Sequence, residues 1–196
     1  MMNSVFDVGS LFIFIITAPD YNRQAWTNVK NSLGLPIPNL PYYIDGDIKV
    51  TQSNAILRYI GRKHDLLGQT EAEKVNVDMM LDQAMDFRNG LVRLAYSRDY
   101  EKLKESYFKD LGKKLEIFET FLGSNDWFAG DKITICDFHI YELLDQHRIM
   151  DPTCLENFKK LQAFLDRFEE LPKIKAYLNS DKCIKRPINN KIAAFK

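Results

Sequence analysis

The chain has 196 residues, 45% of them hydrophobic, and its 27 Lys and Arg balance 27 Asp and Glu to a formal net charge of zero. A chain of this length suits one or two domains and buries roughly 70% of its unfolded surface. The neutral balance offers no basic field for nucleic acid or an anionic membrane, so neither is expected as a partner. No apolar run approaches the ~20 residues that cross a bilayer.

Residues 1–17 form an unusual beginning. The apolar run Leu11–Ile16 has the length and the β-branched content of one buried strand. No basic residue precedes this run, and no small-residue cleavage site clearly follows it, so a signal peptide is not expected. A cytoplasmic location is the resulting expectation.

The cysteines and histidines indicate neither disulfides nor a metal. The three cysteines, Cys136, Cys154 and Cys183, are odd in number and lack CxxC or zinc-like spacing, which favours reduced thiols in a cytosolic protein. The missing CxxC also argues against a thioredoxin-like redox enzyme. His139 and His147 have no carboxylate or cysteine partners at ligand spacing, so no metal site is predicted.

The most informative stretch is Pro38–Leu57, which reads as strand, turn, strand and helix. Tyr42–Ile44 is β-prone, the dipeptide Asp45-Gly46 is a strong hairpin signal, and apolar residues alternate from Ile48 to Val50. Helical spacing then begins, and Ser53 stands where an N-cap is expected.

This arrangement suggests a peptide-binding site. The start of a helix carries partial positive charge and suits a carboxylate. A cis Leu40–Pro41 bond is possible from the sequence, and it would expose the N–H and C=O of Leu40 to an extended ligand. The pattern therefore fits a small anionic peptide with its carboxylate at Ser53. The alternative is an ordinary hairpin followed by a capped helix.

The remainder is predicted to be helical, which gives an α/β domain over residues 1–66 and an all-helical domain over residues 71–196. Residues 66–70 are predicted to link them, with Gly68 ending the preceding helix. The helices are expected at Glu71–Tyr96, Leu103–Leu122 and Leu155–Leu171, the second stopped by Gly123. The apolar face of the second helix consists of Leu111, Leu115, Phe118 and Leu122.

Thr134 and Asp137 have the spacing of a capping box at the start of a further helix. Ile133 and Phe138 flank the box as a hydrophobic staple. This motif is interpreted as structural.

Residues 38–64, PNLPYYIDGDIKVTQSNAILRYIGRKH, resemble the mu class of glutathione transferases. The similarity runs from about Ala18 to the C-terminus, and Ala18–Tyr21 and Trp26–Lys30 resemble the mu-class loop and the helix after it. The resemblance implies a thioredoxin-like domain followed by an all-helical one, with the first strand–helix–strand unit largely missing or replaced within residues 1–17.

The resemblance implies a glutathione site on the first domain. Glutathione would meet Arg23, Trp26 and Lys30 at its glycine carboxylate, Asn39 and Leu40 at its cysteinyl backbone, and Gln52 and Ser53 at its γ-glutamyl end. Trp26 and Lys30 are four residues apart and share a helical face. Simple packing is the alternative for Trp26 taken alone.

The resemblance also implies a homodimer. Asp86 would reach the γ-glutamyl amine of glutathione bound by the other subunit, although a solvated helix charge is the alternative. Arg88 and Tyr96 would line the electrophile pocket, with core packing as the alternative for Tyr96. Ile37 stands where the family usually has a phenylalanine that inserts into the partner subunit, so a weaker contact is expected.

The implied activity is conjugation of glutathione to hydrophobic electrophiles through the glutathione thiolate, with glutathione as a co-substrate and no cofactor. In this family an N-terminal tyrosine stabilises the thiolate, but residues 1–17 contain no tyrosine. No catalytic residue is therefore identified, and impaired turnover is expected. The alternatives are a non-catalytic ligand-binding or structural protein, or an incomplete glutathione-binding domain of low stability.

Overall fold

A computed structural model describes residues 24–183, 188–189 and 192–195, so the strand predicted at Leu11–Ile16 lies outside the described residues. The chain divides into two compact units, one ending at Asp65 and the other beginning at Leu66. The described elements are α1 Gln24–Thr27, β1 Tyr42–Asp45, β2 Ile48–Thr51, α2 Ser53–Lys63, α3 Glu71–Ala95, α4 Tyr100–Leu122, α5 Ile135–Met150, α6 Lys159–Glu169 and α7 Pro172–Leu178. Among the described residues, no helix is both long and apolar enough to cross a membrane.

The first unit contains the predicted hairpin. Strands β1 and β2 pair antiparallel, and the register runs from Tyr42 opposite Thr51 to Asp45 opposite Ile48. The turn therefore consists of Gly46 and the residue after it, one position later than the predicted dipeptide. Gly46 has a φ of 58°, the left-handed backbone that glycine supplies in a two-residue hairpin loop. Helix α2 contacts both strands.

Helix α2 begins one residue differently from the prediction. Ser53 is its first helical residue, and the N-cap is Gln52, which makes no side-chain cap hydrogen bond. The prediction that Ser53 is the cap was wrong because Gln52 alone turns the chain out of β2. Its φ of 71° and ψ of 118° allow helical geometry to start at the next residue.

The regular elements described in the second unit, α3 to α7, are all helices, as predicted. Helix α3 packs against α4 and α5, and α6 contacts α4, α5 and α7. The predicted apolar face of α4 is confirmed, since all four of its residues are at most 1% exposed. The helix predicted at Leu155–Leu171 begins later, at Lys159, and its buried residues are Leu161, Phe164, Leu165 and Phe168.

Gly68 does not end the helix before it, because α2 ends at Lys63 with His64 as its C-cap. Gly68 has a φ of 87°, and a Cβ atom there would lie 2.6 Å from the Cβ of Glu73. The Glu73 carboxylate accepts hydrogen bonds from the N–H of Gln69 at 2.6 Å and of Thr70 at 2.8 Å, forming a capping box for α3. Gly68 therefore makes room for the start of α3. The sequence carries a signal for this box in its Thr-x-x-Glu spacing, which the prediction for Gly68 did not take into account.

The capping box predicted at α5 is present and almost completely buried. The Asp137 carboxylate accepts hydrogen bonds from the N–H of Thr134 at 2.7 Å, the hydroxyl of Thr134 at 2.9 Å and the N–H of Phe128 at 2.8 Å. Burial raises the pKa of Asp137 to about 6, and the hydrogen bonds oppose that rise. The same carboxylate therefore caps α5 and fastens the loop before it.

His147 is buried between α3 and α4, where Phe87 stacks on its ring at 4.3 Å. The Leu143 carbonyl, which can only accept, lies 2.6 Å from Nδ1, so Nδ1 carries the proton. Nε2 then accepts from the Tyr107 hydroxyl at 2.7 Å. Burial lowers the pKa of His147 to about 4, so the neutral imidazole is the form that fits this site.

Candidate functional site

The open end of the hairpin gathers two of the predicted contact segments. Because Tyr42 pairs with Thr51, the residue before one strand and the residue after the other lie at the same end. Leu40 and Pro41 lead into β1 there, and Gln52 leads out of β2 into α2. The four paired residues of β1 and β2 thus bring the backbone at Leu40 close to the start of α2.

The start of α2 is suited to a carboxylate. Gln52 is exposed, and its side chain leaves the first turn of the helix uncapped. Ser53 is half-buried, at the first helical position. The helix start has partial positive charge from its N–H groups, and the Ser53 hydroxyl adds a donor. This end of the hairpin can therefore hold the carboxylate of a small ligand.

Leu40 occupies the position predicted for contact with a peptide backbone. The Leu40–Pro41 bond is cis, the isomer that the sequence left open. The N–H of Leu40 donates a 2.9 Å hydrogen bond to Oδ1 of Asn39, whose side chain is exposed. This differs from the expectation of an open N–H, because a short amide side chain readily bonds its neighbouring backbone. A ligand would have to displace the Asn39 side chain to bind that N–H.

Trp26 lies in α1 and is half-buried. Its indole stacks on the Tyr42 ring, with the ring centroids 5.8 Å apart and the planes 21° from parallel. The N–H of Lys30 donates to the Trp26 carbonyl at 2.9 Å, which keeps a helical turn between them and places their side chains on the same face. Arg23, the third residue predicted for this end of the ligand, lies outside the described residues.

The residues predicted for the electrophile and for the other subunit belong to the second unit. Asp86 and Arg88 are exposed on α3, and their two-residue spacing puts them on different faces of the helix. Tyr96 is the C-cap of α3 and is 36% exposed, so it is not a core residue. The Ala95 carbonyl beside it accepts from Ala194 at 2.8 Å, which brings the C-terminal residues to the end of α3.

Tyr42 also belongs to the candidate site, although the sequence did not predict it there. It supports the Trp26 indole and also begins the strand that follows Leu40 and Pro41. The sequence indicated only that Tyr42 begins a strand of alternating pattern. That alternation does not show which residue the Tyr42 ring packs against.

The cysteines and Ile37 complete the description of the predicted residues. The three cysteines are free, and burial raises the pKa of the Cys136 thiol. The Ile37 side chain is 61% exposed, so it is available for a contact outside its own chain.

Comparison with known proteins identifies the family. Residues 12–62 match the family model described as the glutathione S-transferase N-terminal domain, and residues 85–181 match the model of the glutathione S-transferase C-terminal domain. The chain is 57% identical over 178 residues to human glutathione S-transferase Mu 3, covering 91% of this chain and 79% of that protein. It is 55% identical to Mu 5 of Rattus norvegicus, with the same coverage, and 51% identical to Mu 1 of Bos taurus, covering 82% of it.

Solved structures give the same fold. The crystal structure of the glutathione S-transferase Blo t 8 matches with a TM-score of 0.81 and 34% identity, over 88% of this chain and 82% of that one. The Pi-class glutathione S-transferase of Onchocerca volvulus matches with a TM-score of 0.79 and 33% identity, over 87% and 83%. The hairpin unit is thus a thioredoxin-like glutathione S-transferase N-terminal domain, and the second unit is its helical C-terminal domain. The chain belongs to the mu class of the glutathione S-transferases.

Proposed function

We propose that this chain binds glutathione at the open end of its hairpin and conjugates the tripeptide, through its sulfur, to hydrophobic electrophiles. The thiol loses its proton to solvent, and the resulting thiolate forms a carbon–sulfur bond with the electrophilic carbon. That carbon either releases a leaving group with its bonding electron pair or, in an addition, passes the electrons of a π bond or strained ring to a neighbouring atom, which then takes up a proton. Glutathione is a co-substrate, and the reaction requires no further cofactor. The family membership and the names of the mu-class relatives support this proposal.

The observation that carries the proposal is the register of the hairpin. With Tyr42 opposite Thr51, the segment containing Leu40 and the start of α2 lie side by side. An extended tripeptide needs backbone partners along its length and a partner for its carboxylate at one end. Leu40 supplies the first through its N–H and carbonyl, and the Gln52–Ser53 step supplies the second.

The chemical step depends on holding the thiolate. A free thiol with a pKa near ~8.5 is mostly protonated at neutral pH, and the thiolate is the nucleophile. Residues 1–17 contain no tyrosine, and Ser4, Ser10 and Thr17 are the hydroxyl donors of that segment. We therefore expect turnover well below that of mu-class enzymes in which a tyrosine hydroxyl holds the thiolate. This same feature favours a second candidate function, glutathione or ligand binding without turnover.

The proposal extends to a homodimer in the cytosol. Each unit exposes apolar side chains that support contact with a second copy: Ile37 in the first unit and, one turn apart on α3, Val75 and Met79 in the second. Asp86 lies on the same helix and would reach glutathione bound to the partner. The three free cysteines support a reducing compartment.

The test is calorimetric titration of the purified chain with glutathione, followed by turnover of a generic electrophile on the same sample. We expect binding that Ser53→Ala weakens by roughly tenfold or more, because a hydrogen bond to a charged group is lost. Ser106→Ala, an exposed serine on α4, is the matched control and should leave binding unchanged. A folded chain that binds no glutathione would refute the proposal. Binding without turnover would select the second candidate.

A further inference from the structure

Tyr42 is almost fully buried, at 3% exposure, although it begins a strand beside the candidate site. Its ring stacks on the Trp26 indole with a 5.8 Å centroid distance and a 21° angle between the planes. The Trp26 side chain is itself only half-buried. The buried tyrosine is thus the fixed partner in this pair, and the indole is the partner that a ligand can reach.

The Tyr42 backbone connects the other two parts of the candidate site. It follows the Leu40–Pro41 bond directly, and it pairs with Thr51, the residue before Gln52. Tyr42 is thus linked to all three groups of predicted glutathione contacts. Its main chain follows Leu40 by two residues and pairs with the residue before Gln52, and its side chain stacks on Trp26.

The Trp26 indole belongs to α1, a helix of four residues, and among the described residues the ring that stacks on it is that of Tyr42. So short a helix is marginal without packing of this kind. An aromatic pair of this geometry changes an equilibrium by about two- to tenfold beyond the area that it buries. Loss of the stacking ring would therefore leave the indole free to leave the position from which it meets a ligand.

We propose that Tyr42 is a positioning residue for glutathione, whose ring fixes the Trp26 indole, and with it Lys30, where the glycine end of the tripeptide binds. This inference rests on the proposed function. It adds a residue that does not itself contact the ligand. It also predicts where the effect appears, since the glycine end depends on Tyr42 through Trp26 and the γ-glutamyl end does not.

The chain offers a matched control in the next residue. Tyr43 is the same residue type in the same strand and is fully buried, but it points to the opposite face. Its ring packs on Tyr59 of α2 at 5.6 Å. Tyr43→Leu should therefore lower stability about as much as Tyr42→Leu without a selective effect on the ligand.

The experiment measures the affinity of the full chain and its variants for glutathione and for γ-glutamylcysteine, which lacks the glycine. We expect Tyr42→Leu to weaken glutathione binding about fivefold, within the range for an aromatic pair, and to leave γ-glutamylcysteine binding unchanged. Tyr42→Phe, which keeps the ring, should bind both ligands within about twofold of the unmodified chain, because stacking does not need the hydroxyl.

A double variant checks the route of the effect. If Tyr42 acts through Trp26, adding Tyr42→Leu to Trp26→Leu should cause no further loss of glutathione affinity. Thermal melts confirm that each variant is folded at the assay temperature. Should Tyr42→Leu not fold, Tyr42→Met, which keeps an unbranched apolar chain, takes its place.

The possible outcomes separate the two proposals. If the unmodified chain binds neither ligand, the proposed function and this inference both fail. If it binds glutathione but the Tyr42 variant loses both ligands equally, or loses neither, the function stands and the positioning role is overturned. Additive losses in the double variant would likewise overturn it.

Discussion

The two capping boxes of the helical unit allow one comparison of the same motif in two environments. Glu73 closes the box of α3 at the surface, whereas Asp137 closes the box of α5 in the interior. We predict that Asp137→Ala destabilises the protein several times more than Glu73→Ala. The motif, helix position and substitution are alike, so burial is the main difference.

The magnitude follows from the donors left behind. Asp137→Ala removes the acceptor of three hydrogen bonds, from the N–H of Phe128 and from the N–H and hydroxyl of Thr134. Each buried donor left unsatisfied costs about 1–3 kcal/mol, so we expect a total of about 3–5 kcal/mol after partial relaxation. We expect the loss of stability to lie near the lower end of this range. Burial raises the pKa of Asp137 to about 6, so the native carboxylate is itself costly to ionise, and that cost disappears with the side chain. In Glu73→Ala, by contrast, water can accept the hydrogen bonds of the exposed N–H groups that the Glu73 carboxylate accepts in the unmodified chain.

The assay is urea unfolding of both variants and the unmodified chain at neutral pH, followed by helical circular dichroism. Asp137→Ala should also lower the melting temperature by roughly 10 °C, given that each kcal/mol shifts the midpoint of a chain this size by about 2–4 °C. Equal losses for the two variants would refute the reasoning, because the cost would then belong to the motif and not to its burial.

Two further predictions concern the same unit. Gly68→Ala should destabilise the protein by about 1–3 kcal/mol in urea unfolding, because Gly68 has a φ of 87° and a Cβ would meet Glu73. Gly112→Ala is the control: Gly112 lies in mid-helix with open space around its Cβ, so this variant should stabilise the protein slightly. If both variants lose the same stability, the strain argument fails. As pH falls from about 6.5 to 4, His147 should contribute a loss of about 3 kcal/mol, because its folded pKa of about 4 lies below the unfolded value and only the unfolded chain gains the proton. Urea unfolding across this pH range should show a shallower decline for His147→Gln, and an unchanged decline would contradict the assignment.

Much of the architecture followed from local patterns. The hairpin was predicted from strand alternation and a glycine turn, and the buried face of α4 was predicted from helical spacing. The capping box at Thr134 and Asp137 needed only its spacing. Each of these features depends on residues a few positions apart, so the sequence states it directly.

Two errors arose at residues with a left-handed backbone, Gly68 with a φ of 87° and Gln52 with a φ of 71°. Gly68 was assigned to the end of α2, but its backbone is set by the start of α3. Ser53 was assigned as an N-cap, but the left-handed turn falls at Gln52. Glutamine carries no strong signal for positive φ, so propensity pointed to the neighbouring serine.

The candidate site likewise has features that the sequence predicted and one that only the structure shows. Resemblance in sequence supplied its residues, and the alternation of β1 and β2 supplied the strands that bring Leu40 and Gln52 together. Tertiary structure decided that the buried ring of Tyr42 lies against the Trp26 indole. The sequence by itself thus determined the family, the hairpin and the helical faces, because each is written in short-range pattern. Only the folded chain decided which ring supports the indole, because that contact joins segments whose separation no periodicity encodes.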